Sequence, residues 1–243
     1  MLKKLDLSYR GQPEPGNQDV HTLRHLNTRC PLLKDFNVSG RGDIDLRGLS
    51  LPQLALLEIS QFDTDGSALA DAQLPSLKRL NMFRLTRASN DSVSRFASAL
   101  TNLHELHFDD LSNVGDTAMA ALAQHCSKLR FLDIMNTSVS DQGMAYIATL
   151  PLLETLCIMY VEGITDCGLA CLHSHSSLAH LCMSYHNQVT DVGLLALARS
   201  CPALVELDWD WDDEDEPTAH VSQEGVEKAV AVVKARKKAK KKG

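Results

Sequence analysis

His107, Asp133, Cys157, Cys182 and Asp208 stand 26, 24, 25 and 26 residues apart, and they are the side chains with most chemistry to offer. Imidazole, thiolate and carboxylate are the ligands zinc takes, and a cysteine beside a histidine can be made nucleophilic. A second acidic set follows at Asp208, Asp210, Asp212, Asp213, Glu214, Asp215 and Glu216. Three alternating aspartates could share a hard cation, but a calcium loop needs a turn glycine and a closing glutamate, and neither is spaced here. The even interval carries more information than the residue types. Side chains that recur at a fixed period occupy one position of a repeat.

The elements that position them follow from that period. Each copy opens with Leu-x-x-Leu-x-apolar: Leu103/Leu106/Phe108, Leu129/Leu132/Ile134, Leu153/Leu156/Ile158, Leu178/Leu181/Met183 and Leu204/Leu207/Trp209. Strand side chains alternate faces, so Leu106 and Phe108 point one way while Glu105, His107 and Asp109 point the other. An acidic or hydroxyl pair comes some eight residues later: Asp116, Ser140-Asp141, Thr165-Asp166 and Thr190-Asp191. These read as N-caps, whose oxygens accept from the orphan N–H groups of a helix's first turn. Apolar residues then recur at helical spacing, as in Met119/Leu122/Ala123 and Leu194/Leu197/Ala198. A lone strand–turn–helix unit cannot bury both apolar faces, but stacked units share one core. The expected fold is an α/β leucine-rich-repeat solenoid of about nine repeats, with a parallel sheet on the concave face and helices on the convex face.

That geometry decides against the chemistry of the opening row. Side chains in one row of a parallel sheet leave it in the same direction and do not converge on a tetrahedral centre. His107 lies two rungs, roughly 10 Å, from Cys157, too far for a dyad. No metal, cofactor or catalytic group is expected, so the chain is read as a non-enzyme. Cys157 and Cys182 are neighbours that could join under oxidation, with free thiols the default.

Earlier repeats are shorter. Leu33-x-x-Phe36-x-Val38 and Leu54-x-x-Leu57-x-Ile59 open copies of 21 and 23 residues, too short for a full helix, so GRGDIDLRGLSLP and FDTDGSALADAQLP should form loops or a short helical turn. Leu77-x-x-Leu80-x-Met82 restores the longer period, with Val93 and Phe96 in its helix. Leu2 to Leu7 is already a strand, GQPEPGNQD reads as a loop, and Leu23, Leu26 and Cys30 mark a first helix. Because that first strand begins without a polar cap, a partner covers its edge or the native chain begins earlier. One domain over 1–233 is expected, with regular repeats over 77–211, irregular ones over 33–76 and a last helix over 222–233. Residues 234–243 form a basic tail, either a disordered end or a frayed extension of that helix.

The chain has 243 residues, 44% of them hydrophobic, enough for one sizeable core. No apolar run approaches the ~20 residues that cross a bilayer, and the start lacks a signal peptide's apolar stretch. Seven cysteines, three of them (Cys30, Cys126, Cys201) at one buried repeat position, fit a reducing compartment. The expectation is a cytoplasmic or nuclear protein with no membrane contact. Net charge is −7, yet the tail Lys234 to Lys242 holds seven positive charges, so residues 1–233 carry −14. Such a body repels nucleic acid, leaving only the tail for that contact. Arg41-Gly42-Asp43 matches an adhesion tripeptide, and Asn37, Asn90 and Asn136 begin glycosylation triplets, but both need export.

The pattern C-x-x-L-x-x-L-x-L followed by I/V-T-D-x-G-L resembles the cysteine-containing repeats of F-box/LRR proteins. It is carried by Cys126 before Leu129, Cys201 before Leu204, Ile164-Thr165-Asp166-Cys167-Gly168-Leu169 and Val189-Thr190-Asp191-Val192-Gly193-Leu194. Where that family often has a second cysteine this chain has Leu111, Thr137, Val161 and His186, and no F-box-like segment precedes its repeats. The resemblance implies a substrate-recognition arm of a cullin ubiquitin ligase or another protein-binding scaffold.

The concave face is the expected binding surface. Phe131, Met135, Met159, Tyr160, Tyr185 and Trp211 are its apolar anchors, since aromatic and methionine side chains gathered outside a core mark interfaces. Asp109, Asp133, Glu206, Asp208 and Asp210 should select a basic protein partner. A structural part in a cytoskeletal or organellar assembly, binding also through the helices, is a further alternative. No small-molecule substrate is expected.

Overall fold

The computed structural model describes residues 2–8, 20–184, 188–209 and 221–240. Their elements run β1 (Lys4–Ser8), β2 (Val20–Thr22), α1 (Leu26–Arg29), β3 (Asp35–Ser39), β4 (Asp43–Asp45) and β5 (Leu56–Ser60), then a 3-10 turn at Ser67–Asp71. There follow β6 (Arg79–Phe83), α2 (Asn90–Ala99), β7 (Glu105–Gly115), α3 (Asp116–His125), β8 (Phe131–Ser138), α4 (Asp141–Ile147) and β9 (Thr155–Cys157). The last are α5 (Asp166–Ala170), β10 (His180–Met183), α6 (Asp191–Ser200), β11 (Glu206–Trp209) and α7 (Gln223–Lys240). Nine strands form one parallel sheet in the order β1-β3-β5-β6-β7-β8-β9-β10-β11, while β2 and β4 pair separately. This is the leucine-rich-repeat solenoid, with its sheet ~40 Å across.

Two rows of side chains build the core under that sheet. Leu5, Phe36, Leu57, Leu80, Leu106 and Leu132 are partners across consecutive strands, and Leu156, Leu181 and Leu207 continue the row. From Phe36 to Leu181 the row is fully buried. Each such leucine stabilises the stack by ~1.5–3 kcal/mol relative to exposure. The alternating residues face outward and are only half-buried, as the pattern along β3, β5 and β6 shows.

The turn into each helix corrects the capping expectation. Ser140, Thr165 and Thr190 are N-caps, accepting from Gln142, Cys167 and Gly193 N–H. The aspartates are not caps. Asp116, Asp141, Asp166 and Asp191 are each the first helical residue, and their carboxylates reach across to the next repeat. Asp166 accepts from Thr190 N at 2.8 Å and Thr190 Oγ1 at 2.6 Å. Asp141 serves Thr165 and Asp191 serves Ser222 in the same way, while Asp116 also accepts from Gly143 N. A Cβ on Gly168, Gly193 or Gly225 would run into the preceding repeat's carboxylate. So the T-D-x-G-L signature has a physical reading. Thr caps its own helix, Asp holds the next one, Gly admits the Asp behind it, and Leu enters the core.

Shorter early repeats lack this relay, for want of a helix to carry it. The stretch over 40–52 forms β4, and that over 62–75 forms only the 3-10 turn. Asn27 bridges instead, donating to Gly48 O and accepting from Ser50 N at 2.8 and 2.7 Å.

Of the two alternatives for the basic tail, a disordered end or a frayed extension of the last helix, residues 234–240 follow the second and continue α7. Arg236 explains it. Its guanidinium donates to the carbonyls of Ala198, Arg199, Cys201 and Leu204, closing the carbonyl-rich end of α6. Residues 241–243, like the expected loop at 11–19, lie outside the described part. Among the described residues no helix is long and apolar enough to cross a membrane.

Candidate functional site

Three outward rows run across the sheet. The first is Lys4, Asp35, Leu56, Arg79, Glu105, Phe131, Thr155, His180 and Glu206, and the middle one Asp6, Asn37, Glu58, Asn81, His107, Asp133, Cys157, Cys182 and Asp208. Ser39, Ser60, Phe83, Asp109 and Met135 form the third. These positions face away from the buried leucine core.

The expected anchors do not make one cluster. Phe131 and Met135 share β8 but stand four residues, ~13 Å, apart with Asp133 between them. At the start of the strands Phe131 stacks on His107, ring centroids 4.5 Å apart. They line a cleft of about 590 Å³ with Lys78, Arg79, His104, Arg130 and the carboxylates of Glu105 and Glu154. Arg79 pairs with Glu105 and Arg130 with Glu154. This mixed-charge cleft was missed in the sequence because its members belong to four repeats and meet only once the strands align.

At the other end of the strands Met135 and Met159 are neighbours, since Asn136 N donates to Met159 O. Tyr160, 41% exposed, follows Met159 on the rim. Asp109 sits across from Met135 in register. Burial, then the neighbouring Asp133, holds the Asp109 carboxyl above the usual carboxylate range against the pull of Arg84. Asp109 and Asp133 thus stand beside Met135, while Asp110 pairs with Arg84 at 3.6 Å and accepts from Asn136 Nδ2 at 2.8 Å.

Gln61, Arg84, Asp110, Asn136 and Tyr160 share another property. They occupy one column, one residue past the third outward row, and all have left-handed backbone, φ 66°, 51°, 59°, 51° and 57°. No glycine relieves them, and each costs about 1–3 kcal/mol that the surrounding stack must hold. The column breaks the buried–outward alternation of the strands, so Asp110 and Asn136 are exposed where a buried residue would fall, and Tyr160 is exposed beside them. Only the Asn and Asp members hinted at this in the sequence.

Glu206 departs from its expected role. It lies 3.1 Å from both Lys237 Nζ and His180 Nδ1, and Lys237 holds its carboxyl below the usual range. The carboxylate expected to select a partner is engaged by the chain's own last helix. Asp208 is exposed at the edge of the middle row. Tyr185, Asp210 and Trp211 lie outside the described residues, as does most of the acidic run. Among the described residues no group of three or more His, Cys, Asp or Glu side chains could hold a metal ion.

Two unpaired acceptors complete the face. Asn37 Oδ1 and Asn81 Oδ1 are buried and accept no hydrogen bond within the described protein. Both sit in the middle row.

No protein-family profile matches the chain. It is 28% identical over 136 residues to coronatine-insensitive protein homolog 1b of rice (Oryza sativa subsp. japonica), a match covering 54% of this chain and 22% of the rice protein. The chain therefore spans about a fifth of that relative's length. Among solved structures it is similar to human trophoblast glycoprotein (Wnt-activated inhibitory factor 1), with a TM-score of 0.55 and 18% identity over 82% of this chain and 77% of that one. An internalin of Listeria monocytogenes is similar at a TM-score of 0.48 and 13% identity, covering 87% of this chain and 69% of the internalin.

Proposed function

We propose that the protein is a non-catalytic scaffold that holds a basic protein partner against its concave sheet. One observation supports this most: half-buried Met135 and Met159, with Tyr160 beside them, face outward next to the carboxylates of Asp109 and Asp133. Apolar anchors ringed by like charges suit a lysine- or arginine-bearing segment whose stem packs on the methionines while its cation relieves the carboxylates. Phe131 and the mixed-charge cleft provide a second contact. Seven thiols, none in a disulfide among the described residues, suit a reducing cytoplasm or nucleus. Affinity capture with the full chain tests the reading. A chain carrying Phe131→Ala, Met135→Ala and Met159→Ala should keep its melting temperature within a few degrees and lose the partner. Undiminished capture by the folded triple variant would overturn it.

A narrower reading makes the chain the recognition part of an F-box-type cullin ubiquitin ligase. The similarity to the rice protein and the T-D-x-G-L units at Thr165 and Thr190 favour it. Co-purification of cullin components with the native protein supports this version, and a partner complex free of them removes it while leaving the scaffold intact.

A further inference from the structure

Cys157 on β9 and Cys182 on β10 are in-register partners in the middle row of the concave sheet, and both thiols are free. We propose that these two cysteines form a peroxide-oxidisable dithiol that closes to an intramolecular disulfide across adjacent rungs. Neighbouring strands lie ~4.8 Å apart, inside the 4.4–6.8 Å span of Cα atoms that disulfides bridge, and both side chains leave the same face.

The other thiols are placed differently. Cys126 and Cys201 are fully buried, their S–H groups directed at carbonyls, and burial pushes Cys126 up to about 12. Cys167 and Cys171 are exposed on α5, but the Cys171 sulfur is aimed at the Cys167 carbonyl 3.5 Å away rather than at its thiol.

The pair is asymmetric in a way that assigns roles. Cys182 is the more exposed, and the Cys157 thiol beside it favours its thiolate. Cys157 is 7% exposed, and the neighbouring Cys182 together with burial keeps it protonated. Cys182 sulfur therefore attacks a peroxide oxygen, breaking the O–O bond to give a sulfenic acid and hydroxide. Cys157 sulfur then attacks the sulfenic sulfur, the S–S bond forms, and the hydroxyl leaves as water with the Cys157 proton. Two thiols lose two electrons and one peroxide becomes two waters. The site stands independently of what the concave face binds.

The test is peroxide titration of the full chain carrying Cys167→Ser and Cys171→Ser, which removes the competing pair. No Lys or Arg lies between Cys157 and Cys182, so a glutamate-directed protease is needed for mapping. Expected is a mass loss of about 2 Da and a peptide linking Cys157 to Cys182, released by a small-molecule thiol. Adding Cys182→Ser should slow peroxide consumption at least about tenfold, whereas Cys157→Ser should leave a dimedone-reactive sulfenic acid on Cys182. The pair in the unsubstituted chain should react likewise. A Cys167–Cys171 link there in its place, a disulfide between chains, or equal rates in the Cys157→Ser and Cys182→Ser chains would overturn the proposal.

Discussion

The two halves of the solenoid share a sheet and differ on its other side. From β6 onward each repeat is long enough for a helix, and from Asn90 onward a side-chain oxygen at each helix start holds the next repeat: Asn90, Asp116, Asp141, Asp166 and Asp191 in turn. Between β3 and β6 repeats are shorter, helices shrink to a 3-10 turn, and single contacts such as Asn27 to Ser50 and Asp63 to Thr86 do the bridging. The strand face therefore needs only the leucine pattern, whereas coupling between repeats needs a helix N-terminus to carry it. A carboxylate that accepts both a hydroxyl and an amide sits against the positive end of a helix, so its hydrogen bonds are worth about 1.5–3 kcal/mol each.

Gly193→Ala should have the largest effect, because the new Cβ displaces Asp166 from Thr190. A loss of about 3 kcal/mol in urea unfolding is expected, against about 1 kcal/mol for Asn27→Ala in the irregular half. Equal losses would erase the contrast. Next comes Arg236→Ala, which strips four carbonyls at the end of α6 of their donor. About 2 kcal/mol is expected, with hydrogen exchange rising first in α6 and α7; unchanged protection there would show that Arg236 holds nothing.

His175 sharpens the comparison by pH. It is the repeat position filled by Cys126 and Cys201 in other copies, and its ring spans the seam, with Nε2 3.1 Å from Leu150 O and Nδ1 accepting from Leu178 N. Burial lowers its folded-state pKa from 6.5. The unfolded chain then takes up the proton first, so this contribution is fully present above pH 6.5 and is lost as pH falls below it. His175→Cys should flatten the acid limb of stability against pH; an unaltered limb would mean other groups set it.

The smallest effect belongs to the concave face. The folded-state pKa of Asp109 is raised, so its stability contribution is present at low pH and lost as pH rises through that value. Asp109→Asn should raise the melting temperature slightly at neutral pH, with the gain vanishing in acid. A lower melting temperature at pH 7 would show that Asp109 is held by a cation rather than crowded.

The strands were legible because leucine periodicity and side-chain alternation are local facts. All nine opening leucines, from Leu2 to Leu204, precede strands of the sheet. The role of the aspartates was not legible, because a residue at a helix start looks like a cap until its neighbour's hydroxyl is known to lie beside it. For the same reason the basic tail read as solvent-exposed. Arg236 and Lys237 carry the composition of a disordered end but find the carbonyls of α6 and the carboxylate of Glu206, 31 or more residues away. On the concave face the sequence named Phe131, Met135 and Asp109 but not that Phe131 and Met135 belong to different ends of the strands. Nor did it show the left-handed column, which Gln61, Arg84 and Tyr160 enter without any glycine to announce it.

Because each aspartate in the relay grips the repeat that follows, the grip has a direction. Asp191 is the end of the line, and what it grips is Ser222 at the start of α7. Any event that lifts α7 off the stack leaves one carboxylate stranded over an uncapped end, and the repeat before it then becomes the terminus. Such a protein should come undone like a zip from its carboxyl end, one tooth at a time, while the amino-terminal rungs stay closed.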